Sequence, residues 1–525
     1  MSVATKSGHS LQLNFNRFDL DEYELFIRSK VLPESEINYD RDSDGYTITA
    51  PARFAALLGL KSEINEKDRL LVSDHLFDYQ QFIVGKALDT RRFACWCDTG
   101  LGKSHIFIEW ARQVCHLTDN RVLIFSPLQV IPQTIRLAAD YFGIKINQIS
   151  DRANLEAWCK GEQPEIGICN YEKLISGVMP ELRYLGGLVA DEASILKTQG
   201  GVIKWNLMKS AYGIEYKLAC TATPAPNDVF EYLSQAGFLD KFNDSSGAGA
   251  TLAAFFTRGK DNEWRLKGHA RESFYRFMAS WSIYMRDPVN FGFNDILSTL
   301  PPPEIHEYKI DILPVQREEM FIFQTRNGKG MFNDRAGVKE RLKLSQIAKG
   351  FVYETTEAKR TAVRINSLKP AFVADLARVD AAKRLQVLIW TVFDAESEII
   401  AELLPDLKVG VLNGSMPDGR RQEVLNDFLS GELQVLISKA SLIGYGLNFQ
   451  NCRSMVFSGF DDSFERMYQA IRRAYRYGQT ATVHVHIPYI PELEGMIFEN
   501  VQAKERQFLK DVSEQEKYYR EALGL

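Results

Sequence analysis

The chain has no apolar run approaching the roughly 20 residues of a membrane-spanning helix, and its start, MSVATKSGHS, lacks the apolar core of a signal peptide. Cysteine is sparse: seven residues, at 95, 97, 115, 159, 169, 220 and 452, with no CxxC pair and most of them inside apolar runs. That usage excludes a disulfide or zinc framework and reads as buried thiols of a reducing compartment, so a cytoplasmic location away from membranes is expected. Low-complexity tracts are absent, as is any repeat with a period of about 20–50 residues, which excludes solenoids and mainly disordered chains. An excess of one charge is lacking too. Across 525 residues 63 Lys and Arg face 68 Asp and Glu, a net of −5, so nucleic-acid binding would need a local basic surface. Hydrophobic residues at 45% and charged residues at 25% describe a globular protein, and the length allows several domains.

What is present is rhythm. Residues 1–72 carry polar stretches such as Asp40 to Asp44 around short alternating runs such as Tyr46-Thr-Ile-Thr49, and read as a small N-terminal accessory domain. From about Leu76 short apolar strands alternate with helical segments: Phe93–Cys97, Val122–Ser126, Ile166–Asn170, Leu188–Asp191 and Leu218–Thr221. Unbroken apolar runs separated by helices predict βαβ units and a parallel sheet buried on both faces, here over 73–242. Residues 243–300 open on the linker-like Asn243–Gly249 and read as a helical, basic and aromatic insertion. Pro301-Pro-Pro303 is a rigid joint at the head of a linker and helical protrusion, 301–380. A second strand series, Gln386–Trp390, Val409–Leu412, Val435–Ser438, Ser454–Ser458 and Val483–Ile487, predicts another α/β lobe over 381–490, followed by an amphipathic helix over 491–525.

Asp98-Thr-Gly-Leu-Gly-Lys-Ser104 lies between a predicted strand and a predicted helix, the context a phosphate-binding loop requires. Thr99, Gly100, Leu101 and Gly102 would bring backbone N–H groups to the phosphates, Lys103 a point charge, and Ser104 a hydroxyl for Mg²⁺. Cys97 stands where the full pattern has a glycine. Leu188-Val-Ala-Asp-Glu-Ala-Ser194 is an apolar strand ending in two carboxylates. Asp191 can hold Mg²⁺ through water and Glu192 can orient and deprotonate the attacking water, against the plainer reading of a solvated acidic turn. Thr221 and Thr223, in Leu218-Ala-Cys-Thr-Ala-Thr-Pro224, can couple the acidic pair to the γ-phosphate. Gln80 can read the adenine edge or be an ordinary surface glutamine. In the second lobe, Gln469-Ala-Ile-Arg-Arg-Ala-Tyr-Arg476 places Arg473 and Arg476 three apart, on one face of a helix, where two guanidinium groups suit a triphosphate, against the plainer reading of a solvated basic face.

Taken in order, these motifs resemble the superfamily two helicase-translocases, and within them the Swi/Snf-related branch. The resemblance spans about 76–490 and adds Gly-Leu-Gly-Lys in the phosphate loop, Lys197, Leu300-Pro-Pro, Gly414-Ser-Met near Arg421, and Arg476-Tyr-Gly-Gln479. Ser441-Leu-Ile-Gly-Tyr-Gly-Leu-Asn448 resembles the fifth motif, in which Gly444, Gly446 and Asn448 would link nucleotide to nucleic acid. Thr223-Pro-Ala-Pro-Asn227 is similar to compact members carried by phages and mobile elements. Ser194 stands where the family has His or Asp, Arg472 where it has Gly, and Tyr475 where it has His. The resemblance implies an α/β protein of two RecA-like parallel-sheet lobes with helical insertions and a small N-terminal accessory domain. It implies ATP and Mg²⁺ as cofactors, Gln80 and Gln469 at the nucleotide, and Lys103, Glu192, Arg473 and Arg476 as the hydrolytic set, with double-stranded DNA as partner.

The best local nucleic-acid candidate is the stretch 255–286, with Arg258, Lys260, Arg265, Lys267 and Arg271 among interleaved Phe255, Phe256, Trp264, Tyr275 and Trp281. The plainer reading packs the aromatics into a small subdomain. His269, His484 and His486 have no metal-ligating partners at useful sequence spacing and read as structural. The function expected is an ATP-dependent DNA translocase. The alternatives are a strand-separating DNA or RNA helicase and a nucleotide-gated protein-interaction module. A restriction-type motor is disfavoured, because too little chain follows Gln479 for a nuclease domain.

Overall fold

The computed structural model describes residues 4–7, 10–15, 20–30, 32, 35–41, 44–51, 54, 58, 69–161, 163–197, 201–225, 229–242, 245–259, 264–294, 301–326, 338–355, 360–443, 449–459, 464–476, 479 and 481–523. They form two compact units, Met1–Asn294 with Gln515–Leu525, and Asp295–Glu514. Among the described residues no helix is long and apolar enough to cross a membrane.

The first unit opens with a four-stranded antiparallel sheet ordered Ala4–Ser7, Ser10–Phe15, Gly45–Pro51, Glu36–Asp40. Alternation makes it: Leu11, Leu13 and Phe15 are buried with Ile48 and Ala50, and Phe54, Leu58 and Tyr184 complete that small core. The main body is a seven-stranded sheet ordered Ser282–Met285, Arg92–Cys97, Tyr216–Cys220, Gly187–Asp191, Val122–Phe125, Ile166–Cys169, Ile146–Gln148, with every pairing parallel. The strands expected from the apolar runs are all present within two residues at either end. Six of the seven cysteines are buried, and all are free thiols.

The strand Ser282–Met285 corrects the reading of 243–300 as helical. Helices Ser245–Phe255 and Arg271–Ala279 are present, but a hairpin of Phe256–Arg258 and Trp264–Leu266 separates them, and Ser282–Met285 then enters the parallel sheet beside Arg92–Cys97. Its wholly buried face explains the apolar Ile-Tyr-Met run. Trp281 meets Trp96 edge to face at 5.5 Å, and the Trp96 indole donates to Gln235 Oε1 at 2.7 Å. The last turns of the helix Pro491–Leu523 cover this edge: Tyr519 is fully buried with its hydroxyl 2.6 Å from Ser282 Oγ, and Gln515 donates to the Tyr232 hydroxyl at 2.6 Å.

The second unit holds a six-stranded sheet ordered Glu304–Lys309, His484–Tyr489, Ser454–Phe457, Val387–Thr391, Val435–Lys439, Val409–Val411, again parallel throughout. One face packs Val373, Ala374 and Ala377 of the helix Leu368–Ala382 on Val387, Ile389 and Val456; the other buries Trp390, Phe428, Phe449 and Met455. Residues read as a helical protrusion supply the edge strand Glu304–Lys309 and a hairpin, Phe351–Thr355 with Arg360–Arg364, as well as helices Pro314–Arg326 and Val338–Ala348.

Candidate functional site

The strand Arg92–Cys97 runs through a tight loop into the helix Lys103–Thr118, so unpaired amides and the positive end of the helix dipole meet at Lys103. Gly102 holds φ at +69°, and a Cβ there would lie 2.3 Å from Gln80 Nε2, so only glycine serves. Gln80, on the helix Asp78–Thr90, is buried behind the loop and not on the surface. Its Nε2 donates to the Leu101 carbonyl at 3.1 Å and to the Tyr79 hydroxyl at 3.2 Å, and its Oε1 accepts from Phe77 N–H at 3.0 Å. The Tyr79 hydroxyl also donates to Leu101 O at 2.9 Å. The amide expected at adenine thus braces the loop from below. Thr99 N–H donates to Asp98 Oδ1 at 2.7 Å, and the Lys103 ammonium folds back onto the carbonyls of Cys97 and Asp98 at 3.0 and 3.3 Å. Ser104 follows in the first helical turn, half-buried.

Because the sheet is parallel, the strands Arg92–Cys97, Tyr216–Cys220 and Gly187–Asp191 all end at the same edge, in adjacent register through Cys220. That edge gathers the phosphate loop, Thr221 with Thr223, and Asp191 with Glu192. Asp191 accepts from Ser126 Oγ at 2.7 Å and from Glu192 N–H at 3.0 Å, and its own carbonyl accepts from the Tyr171 hydroxyl at 2.6 Å. Burial, then the Glu192 charge, lift the Asp191 carboxyl to about 7 against the opposing pull of Ser126 and Lys103. Glu192 sits in left-handed backbone at φ +51°, which a glutamate rarely adopts, and its Oε2 is buried with no hydrogen-bond partner among the described residues. Thr221 and Thr223 are both buried, with Thr223 N–H donating to Thr221 Oγ1 at 3.2 Å. Ser194 is buried in the turn Ala193–Lys197.

In the second unit Gln469 is buried in the helix Phe464–Ile471. That helix stops before the arginines, so Arg473 and Arg476 lie on a turn and not on the expected helical face. The cause is local: the Arg473 carbonyl accepts from Phe449 N–H at 3.0 Å, outside the helix. Arg472 is sandwiched over the rings of Tyr468 and Tyr475 at 5.5 and 5.0 Å, which gives the two family departures a shared packing role. Arg473 is 5% exposed. Burial pulls the Arg476 guanidinium below its ordinary value, and among the described residues it has no carboxylate partner. Gly444 and Gly446, with Asn448, lie outside the described residues.

Residues 77–231 match the DEAD/DEAH box helicase family, and residues 369–478 match the helicase conserved C-terminal domain, together about half of the chain. The chain belongs to the superfamily two helicases. Its two parallel sheets are the two RecA-like lobes of that family. The helicase is 22% identical over 330 residues to the TATA-binding protein-associated factor mot1 of Aspergillus fumigatus, covering 52% of this chain and 17% of that protein. It is also 22% identical over 360 residues to mot1 of Schizosaccharomyces pombe, 57% of this chain and 18% of that one. The putative protein p41 of Acyrthosiphon pisum secondary endosymbiont phage 1 is 22% identical over 431 residues, 75% of this chain and 87% of p41. The helicase spans less than a fifth of the length of the mot1 proteins.

The first-unit edge fits a magnesium nucleotide on its own chemistry. A buried carboxylate oxygen of Glu192 without a partner, beside an Asp191 carboxyl lifted to about 7, is a pair that a nearby cation would restore to full ionisation. The proposed nucleic-acid residues are more mixed. Arg258 and Arg265 are exposed on the hairpin, with Arg258 over the Trp264 ring at 5.7 Å. Lys267 instead donates to the helix-terminal carbonyls of Ala253 and Ala254 at 2.5 and 3.4 Å, and Arg271 lies over Tyr275 at 5.8 Å. Lys260 lies outside the described residues. The aromatics follow the plainer reading: Phe256, Tyr275 and Trp281 are buried, and Tyr275 stacks on Tyr518 at 5.7 Å. Of the histidines read as structural, His486 is hydrogen-bonded to Tyr308 and Asp380, while His484 meets His306 and Glu304, partners that sequence spacing hides.

Proposed function

We propose that the helicase is an ATP-driven translocase of the Swi/Snf-like type that moves along double-stranded DNA. Thr99 to Ser104 cradle the phosphates, with Lys103 as point charge. Ser104 and Asp191 would hold Mg²⁺. Magnesium, when bound, offsets charge on the phosphate oxygens and orients them. Glu192 orients the attacking water and takes its proton, while Thr221 and Thr223 relay the state of the acidic pair. Gln469 would contact the nucleotide from the second lobe, and Arg473 with Arg476 would meet the charge that develops on the γ-phosphate. The observation that carries this reading is the buried Oε2 of Glu192, without a partner among the described residues, at the strand edge shared with the phosphate loop. The uncompensated Arg476 supports the role of the second lobe. The order of motifs, the likeness to mot1 and the likeness to a phage protein support the Swi/Snf-like branch, a duplex-DNA track and a phage or mobile-element setting.

The test measures ATP hydrolysis with single-stranded DNA, duplex DNA and RNA, then displacement of a triplex strand and unwinding of a forked duplex. Duplex DNA is expected to stimulate most and triplex displacement to exceed unwinding; equal response to all three polymers would favour a nucleotide-gated module instead. Glu192→Gln is expected to keep ATP binding and lose at least about 100-fold in turnover. Arg473→Ala should keep nucleotide affinity and lose the stimulated rate, and retained stimulation would contradict its role.

A further inference from the structure

Glu304 and His484 open two neighbouring parallel strands, Glu304–Lys309 and His484–Tyr489, whose register pairs Glu304 with His484 and His306 with His486. The period of two then puts all four side chains on one face of the sheet. On that face His306 Nε2 lies 3.3 Å from His484 Nδ1, His484 Nδ1 lies 3.3 Å from Glu304 Oε2, and His306 Nε2 lies 3.7 Å from the same oxygen. Tetrahedral zinc, with bonds of about 2.0–2.1 Å, sets neighbouring ligand atoms about 3.3–3.4 Å apart. The three donor atoms therefore already stand near the corners of one face of such a tetrahedron. We infer that Glu304, His306 and His484 bind a divalent transition metal of the zinc type, with water as the fourth ligand.

Ring stacking orients the two ligating imidazoles, and the third histidine of the face is held apart from them. His306 stacks on His484 at 5.6 Å and on His486 at 5.1 Å. His486 is engaged elsewhere: its Nδ1 meets the Tyr308 hydroxyl at 3.0 Å and its Nε2 meets Asp380 Oδ2 at 3.1 Å, while Asp380 also accepts from Ser454 at 2.7 Å and Lys383 at 2.9 Å. Two imidazoles and one carboxylate suit zinc, cobalt or iron(II), and not magnesium or calcium, which favour oxygen donors throughout. The side chains of Glu304, His306 and His484 are 57%, 37% and 36% exposed, so an ion can enter from solvent and keep a water. Among the described residues Glu304–Lys309 is an edge strand of its sheet. A metal bridging its first residues to His484 would staple that strand to the sheet. None of the three residues belongs to the set proposed for hydrolysis.

The 525-residue chain, stripped by a chelator and free of nucleotide, is titrated with Co²⁺ and then Zn²⁺. One equivalent of Co²⁺ is expected to give the visible bands of a four-coordinate nitrogen and oxygen site, which Zn²⁺ then abolishes, and Zn²⁺ should raise the melting temperature in proportion to its occupancy. Glu304→Gln and His484→Ala, tested separately because each is on an exposed strand start, should each weaken binding by at least about tenfold while circular dichroism stays unchanged. Absence of tight binding in the wild type, binding unaltered by both substitutions, or bands of thiolate ligation would each overturn the site and leave only a hydrogen-bonded His-His-Glu cluster.

Discussion

Lys217 carries an ammonium group into packing that excludes water: the side chain is fully buried, donating to the Phe238 carbonyl at 2.9 Å and to Asp240 Oδ2 at 2.8 Å. Burial pulls its pKa to about 8 from an ordinary 10.5, with Asp240 opposing the fall. Between those values the unfolded chain holds the proton and the folded chain does not, so the buried charge costs stability below pH 8 and that cost lifts as pH rises toward 10.5. Wild type is therefore expected to gain on Lys217→Met by roughly 1 kcal/mol per pH unit across that window, read from urea midpoints at pH 7 and pH 10. Parallel curves for the two proteins would mean the lysine stays charged throughout. The same desolvation acts at Asp191 with the opposite chemical meaning. There it raises a carboxyl that the proposed hydrolysis needs ionised, and the Glu192 oxygen beside it, without a partner among the described residues, marks the place where a cation would act.

The strands were legible in the sequence because a parallel strand buried on both faces must be an unbroken apolar run, and Val122–Phe125 or Val387–Thr391 can be little else. The phosphate loop and the acidic pair were legible as well, because their residue types are tied to strand ends. Ser282–Met285 was not: its four residues sit in an aromatic and basic stretch, and only pairing with Arg92–Cys97 makes them a strand. Nor was the helix Ser245–Phe255, whose Gly and Ser content reads as a linker until Ala- and Leu-rich residues carry it through. The metal-ligand triangle was hidden for a third reason, a separation of 178 residues between His306 and His484. Elements are also joined where no pattern shows it. Glu494, at the start of the helix Pro491–Leu523, accepts from Lys349 at 2.8 Å and from Lys369 of the helix Leu368–Ala382 at 2.6 Å, all three wholly buried. Glu494→Gln would leave two buried ammonium groups without the carboxylate they share, and should lower stability by about 3 kcal/mol in urea unfolding. Adding Lys369→Met to that variant should recover part of the loss; a further drop would show that the lysine packs through its stem alone.

At the scale of the whole molecule the net charge of −5 sets the terms on which nucleic acid can be held. Long-range attraction to a polyanion is weak, so affinity has to come from a few phosphate contacts made by exposed cations. Lys267 donates to helix-terminal carbonyls and Arg276 pairs with Glu272 and Glu521, while Arg258 and Arg265 are exposed on the paired strands Phe256–Arg258 and Trp264–Leu266. If these two arginines contact the duplex, reversing both to glutamate removes two phosphate contacts and adds repulsion. The DNA concentration for half-maximal stimulation of hydrolysis should then rise, and its dependence on log salt should flatten by about 0.9 for each lost contact. The melting temperature of the double variant serves as the folding control, since both side chains are exposed and a surface change of this kind moves stability little. An unchanged salt slope, with half-stimulation at the wild-type concentration, would put the DNA track on another face.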